Sequence, residues 1–134
     1  MDTSALVALY LDSDEWHAEA VRALSQLRDL RRPLLATTDV FDETVTLIRR
    51  WGGYARAVEV GEALRESRVL TLVAVDDAAW EEAWALFKKH GNLKLSFTDC
   101  TSAALMARLG IESIFTFDSD FRGLGLKSLP DTRR

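Results

Sequence analysis

The chain has one cysteine, two prolines and two histidines in 134 residues. A single cysteine excludes an internal disulfide framework and fits a reducing compartment, and Cys100 itself reads as a small buried hydrophobe. His17 and His90 fall on different elements with no ligand partner at metal-site spacing, which argues against zinc. No apolar run approaches the roughly 20 residues that cross a bilayer, and no basic leader precedes an apolar core at the N-terminus. The expectation is a cytoplasmic protein with no membrane partner. A basic excess is missing too: with a formal charge of -4, net charge alone cannot hold nucleic acid, so such a ligand needs a local site. What the chain does have is 48% apolar residues, enough to fill one core, and a single domain over residues 1–134 is expected.

Leu34 to Ala36, Val69 to Val75 and Ser113 to Phe117 are short β-prone runs separated by helical patterns. Glu15 to Leu30, Asp39 to Trp51, Tyr54 to Glu66, Asp77 to His90 and Asp99 to Leu109 carry apolar residues at three- and four-residue steps, with a shorter helix at Ser4 to Leu11. The alternation predicts an α/β fold with a mostly parallel sheet. Ser13, Thr38 and Thr98 precede helical runs as capping residues, and Gly52, Gly91 and Gly110 follow them. No repeat, linker or low-complexity tract interrupts the pattern. Gly123-Leu124-Gly125 reads as a loop and not a phosphate cradle, because no helical run follows it.

The acids are the informative residues. Glu43 lies on the shoulder of the apolar stripe of its helix, where it can lean toward a sheet edge or pair with Arg49 or Arg50. Asp99 falls in the first turn of its helix, where unpaired N–H groups and the dipole favour an ionised carboxylate. An ordinary first-turn acid looks the same. Asp118 ends the run Ile114-Phe115-Thr116-Phe117, and sites in open α/β sheets assemble beyond the carboxyl ends of strands; Asp120, two residues on, can support it or serve only the turn. Asp2 stands at the opening of the first helix, beside Ser4, which can cap that helix or hydrogen-bond a carboxylate. Asp76 with Asp77 heads a helix, and an N-cap role is enough for it.

Acids collected at one end of a sheet, without histidine or cysteine, describe a hard oxygen-ligand site for Mg²⁺ or Mn²⁺. Without the cation, mutual repulsion and desolvation leave such a cluster loose or partly protonated.

Asp2-Thr3-Ser4-Ala5-Leu6, Thr38-Asp39-Val40-Phe41-Asp42-Glu43-Thr44, Leu95-Ser96-Phe97-Thr98-Asp99-Cys100 and Phe115-Thr116-Phe117-Asp118 resemble, in order and spacing, the four acidic motifs of PIN-domain nucleases, most of all toxins of the VapC type. The resemblance spans nearly the whole chain. It implies a three-layer α/β/α sandwich around a central, mostly parallel sheet. It also implies an endoribonuclease in which Asp2, Glu43, Asp99 and Asp118 bind Mg²⁺ or Mn²⁺ and Thr3, Ser4, Thr98 and Asp120 support them. Metal-bound water is then the nucleophile on an RNA phosphodiester. The implied partners are RNA, a VapB-like antitoxin covering the acidic cleft, and a second copy of the chain. The pattern places an apolar first strand before the first aspartate, whereas only Met1 precedes Asp2 here. A truncated first strand is therefore expected, either because the native start lies upstream or because Asp2 sits at a frayed terminus beside an α-amino group that competes with metal.

Lys88, Lys89 and Lys94, the set Arg49, Arg50 and Arg56, and above all Arg122 and Lys127 are candidates for phosphate contacts. Trp80, Trp84 and Phe87 fall at helical spacing and read as packing. Two other functions compete with the ribonuclease: a catalytically impaired PIN-like scaffold that binds RNA or protein, and a metal-dependent phosphohydrolase of small esters. The latter ranks lowest, because aspartate-based phosphotransferases carry a second acid two residues after the first, and Ser4 occupies that place.

Overall fold

In a computed structural model, residues 1–132 are described; the last two positions of the expected domain, 133 and 134, lie outside the described residues. Six α-helices, α1 (Thr3–Tyr10), α2 (His17–Asp29), α3 (Thr38–Gly52), α4 (Tyr54–Glu66), α5 (Asp77–Lys89) and α6 (Phe97–Leu109), alternate with strands β1 (Leu34–Thr37), β2 (Leu70–Val73), β3 (Ser113–Phe115) and β4 (Lys127–Leu129). The helices match the apolar periodicities to within about two residues. A 3-10 turn over Ser119–Leu124 and the three-residue β4 were not foreseen. Gly125, φ +78, caps that turn in the left-handed region, so the stretch read as a loop is the end of a turn.

Both strand pairs are parallel. Leu34 to Thr37 run beside Leu70 to Val73, and Ser113 to Phe115 run beside Lys127 to Leu129. The expected single sheet is resolved into these two pairs, with the first two residues between them: the Met1 amine donates to the Leu35 carbonyl at 2.6 Å and the Asp2 N–H donates to the Phe115 carbonyl at 3.1 Å. The N-terminus is therefore tied, not frayed. Burial lowers the Met1 amine to about 6, so at neutral pH it brings little of the competing positive charge expected of it.

Local chemistry fixes where helices begin. The Thr37 hydroxyl accepts from the Val40 N–H at 3.0 Å, and the Asp76 carboxylate accepts from the Ala79 N–H at 2.8 Å. Thr37, not Thr38, is thus the cap of α3. Side chains from α1, α3, α4, β1 and β2 form one core around Leu6, Val40, Ile48 and Val60; Cys100, Ile114 and Phe121 centre another beneath α6. Cys100 is fully buried there. Among the described residues no helix is long and apolar enough to cross a membrane.

At its other end α6 stops on Gly110, φ +68 and ψ +29, with Ile111 N–H reaching back to the Met106 carbonyl at 2.9 Å. A Cβ at Gly110 meets nothing within 4 Å, so Gly110→Ala tests backbone conformation alone. It should cost about 1 kcal/mol, read as a fall of roughly 3 °C in melting temperature. An unchanged midpoint would mean that the left-handed cap carries no strain for alanine.

Candidate active site

A cleft of about 380 Å³ opens beside the N-terminal ends of α1 and α6, lined by Asp2, Glu43, Asp99 and Asp118 together with Thr3 and Ser4. Asp2 is 2% exposed and caps α1, its Oδ1 accepting from the Ala5 N–H at 3.2 Å and from the Ser4 hydroxyl at 2.8 Å. Ser4 therefore orients the aspartate and does not cap the helix. The Ser4 hydroxyl also accepts from the Phe117 N–H at 2.9 Å, tying α1 to the end of β3.

Thr116, which sequence reasoning passed over, joins two of the acids. Its buried hydroxyl donates to Asp2 Oδ2 at 2.8 Å and accepts from the Asp118 N–H at 2.9 Å. The signal was available: a hydroxyl-bearing residue two positions before Asp118 in an extended run points to the same side as that aspartate.

Asp99 enters from the first turn of α6, but its cap is Ser96 and not Thr98. The Ser96 hydroxyl accepts from the Asp99 N–H at 3.0 Å while Asp99 Oδ2 accepts from the Ser96 N–H at 2.9 Å, a reciprocal capping box. This fixes Asp99 in direction and leaves its Oδ1 without a hydrogen-bond partner among the described residues. The Thr98 side chain does not line the cleft; its carbonyl accepts from the Thr101 hydroxyl. Asp120 lies outside the cleft lining as well, its carboxylate accepting from the Lys94 N–H at 3.3 Å and its own N–H donating to Asp118 Oδ1 at 2.9 Å. Asp120 thus orients Asp118 through its backbone. Glu43 is half-buried on α3 and makes no hydrogen bond or ion pair among the described residues, so pairing with Arg49 or Arg50 is not what holds it. Asp14 also borders the cleft, its Oδ1 accepting from the Trp16 N–H.

Burial governs the electrostatics, with like charge adding to it. Burial raises Asp99 to about 6, with the nearby charges of Asp2 and Asp118 adding to the shift. Burial also raises Asp2, against the hydrogen bonds from Thr116, Ser4 and Ala5, and burial with the charge of Asp120 raises Asp118. This donor set fits a hard divalent cation: every acid offers oxygen, and among the described residues Glu43 and one oxygen of Asp99 have no hydrogen-bond partner and the buried Thr3 hydroxyl is unpaired. Among the described residues no three acidic, histidine or cysteine side chains stand close enough to enclose an ion as they are placed.

The basic candidates divide. Arg56 is spent on the Tyr10 carbonyl and Glu59, and Arg122 reaches Asp131 and Thr132. Arg50 is exposed and makes no ion pair among the described residues. Trp80, Trp84 and Phe87 do pack, against Phe97, yet each keeps more than two-fifths of its surface exposed.

The model of the PIN domain matches residues 1–126. The chain belongs to the PIN-domain family. Within it, the chain is 34% identical over 126 residues to the 23S rRNA-specific endonuclease VapC20 of Mycobacterium tuberculosis, in strains CDC 1551 / Oshkosh and H37Rv, covering 93% of this chain and 92% of that protein. The crystal structure of Mycobacterium tuberculosis VapC20, described as a sarcin-ricin loop cleaving toxin, superposes with a TM-score of 0.83 at 33% identity, covering 93% of both chains. The α/β class and the family expected from the four motifs are thus borne out, and the relatives are nucleases of the toxin type those motifs resemble.

Proposed function

We propose that this PIN-domain chain is the metal-dependent endoribonuclease toxin of a toxin–antitoxin pair, a single domain acting on ribosomal RNA, with the sarcin-ricin loop as its substrate class. The observation that carries the reading is the convergence of Asp2, Glu43, Asp99 and Asp118 on one cleft, in a chain similar to VapC20 along nearly its whole length. In this reading those four acids hold Mg²⁺ or Mn²⁺. A bound ion of that kind lowers the pKa of a ligated water and stabilises charge on the phosphate. The chain's own part is positioning: Thr3, Ser4 and Thr116 orient or neighbour Asp2, Ser96 fixes Asp99, and the Asp120 N–H fixes Asp118. Thr98 is left with a backbone role.

The acidic cleft suits a basic segment of a VapB-like antitoxin, which would block it by supplying the missing positive charge. The half-exposed aromatic stripe of α5 supports a homodimer, which the mass in solution checks. The compartment that fits a lone buried thiol is the cytoplasm.

Labelled RNA carrying a sarcin-ricin-type stem-loop should be cut once Mg²⁺ or Mn²⁺ is added and left intact in EDTA. Cleavage indifferent to EDTA would overturn the metal mechanism, and absence of cleavage in either condition would favour the RNA- or protein-binding scaffold.

A further inference from the structure

Glu43, Leu47 and Trp51 fall at four-residue steps on α3, so they share one helix face, and all three line the carboxylate cleft. The three differ in burial in a graded way. Glu43 and Leu47 are half-buried, whereas Trp51 keeps 61% of its surface exposed and stacks on no other ring among the described residues. Eight residues of helix separate it from Glu43, on the order of 12 Å along the axis, so the ring stands away from the carboxylates. Arg50, adjacent in sequence, is exposed and makes no ion pair among the described residues, but it does not line the cleft. Lining the same cleft, Trp16 stacks on Phe117, the residue before Asp118, with ring centroids 5.2 Å apart and planes inclined by 11°. The cleft lining therefore combines carboxylates with aromatic rings.

That combination matches an unpaired nucleic-acid strand: the acids take the phosphate through a cation, and flat rings take bases, each of which has a π-face. We propose that Trp51 is a base-stacking platform that holds an unpaired nucleobase flanking the scissile phosphate. A packing role accounts for neither its exposure nor its place on the cleft face of α3, and continuity with the carboxylate cleft selects a nucleobase as its occupant. The role is one of positioning and specificity, and it rests on the ribonuclease reading.

The test uses two backgrounds. In the active protein, Trp51→Ala should raise KM for a single-stranded or loop-containing RNA about tenfold with kcat changed less than about twofold, and Trp51→Phe should restore most of the loss. In the Asp99→Asn protein, anisotropy of an end-labelled, unpaired RNA oligonucleotide should report the same roughly tenfold weakening on Trp51→Ala. Placing an abasic nucleotide beside the cleavage site should abolish the difference that Trp51→Ala makes. Unchanged KM and binding would overturn the proposal. So would a change in the sedimenting mass on Trp51→Ala, which would assign the ring to an interface between copies of the chain. If the unsubstituted protein cuts no RNA, the ribonuclease reading fails while the binding arm still decides whether Trp51 stacks on a base.

Discussion

Asp99→Asn is expected to abolish RNA cleavage and, in the same protein, to raise the melting temperature at neutral pH in the absence of metal. The first effect follows from charge. An amide oxygen is a poor substitute for a carboxylate on a hard cation, and losing several kcal/mol of charge stabilisation lowers the rate by roughly 10³-fold. The second follows from burial. Asp99 is 8% exposed and its pKa is raised to about 6, against about 3.9 in an unfolded chain. The folded protein therefore binds this proton more tightly than the unfolded one, so the stabilisation by protonation is complete below about pH 4 and is lost as the pH rises to about 6. Above that, a buried and repelled carboxylate burdens the fold by an amount on the order of 2–3 kcal/mol. Asparagine removes the charge and keeps the acceptor for the Ser96 N–H, so the capping box survives.

The expected record is a gain of several degrees for Asp99→Asn at pH 7.5 in EDTA and no gain at pH 4. Added Mg²⁺ should stabilise the unsubstituted protein by mass action and do little for the variant. A variant less stable than its parent at pH 7.5 in EDTA would refute the assignment of Asp99 as a strained acid, whatever happened to cleavage.

The same residue marks how far the sequence could be read. That Asp99 would sit in a first helical turn was legible, because apolar periodicity from Cys100 onward places the helix. Which hydroxyl caps it was not, because Ser96 and Thr98 are equally good capping side chains and only backbone dihedrals choose between them; Ser96 is extended at φ -73 and ψ 165. Thr37 and Thr38 posed the same ambiguity at α3. The three-residue β4, Lys127-Ser128-Leu129, carries too little alternation to stand out, and its existence depends on pairing with β3. The acids themselves were legible one by one as caps and first-turn residues. Their convergence comes from the crossing of chain segments more than a hundred residues apart, where the Asp2 N–H meets the Phe115 carbonyl.

That crossing is held by Thr116, and removing its hydroxyl is the second large effect to expect. Thr116 is 1% exposed and its Oγ1 serves Asp2 and the Asp118 N–H at once. Valine has nearly the same shape, so Thr116→Val leaves packing in place while depriving a buried carboxylate of a donor and a half-buried N–H of its acceptor. Each loss costs about 1–3 kcal/mol in stability, and the two are coupled through one atom. Metal affinity and cleavage should each fall about 10- to 100-fold, as when a ligand loses the group that orients it. The donor favours the ionised form of Asp2, so without it the acid limb of the pH–activity profile should move to higher pH. Thr116→Ser, which keeps the hydroxyl and drops only a methyl, should return most of the metal affinity and the original acid limb. Were Thr116→Val to need no more Mg²⁺ than its parent and cut RNA at the parental rate, the coupling of Asp2 to Asp118 through this hydroxyl would have no part in building the site.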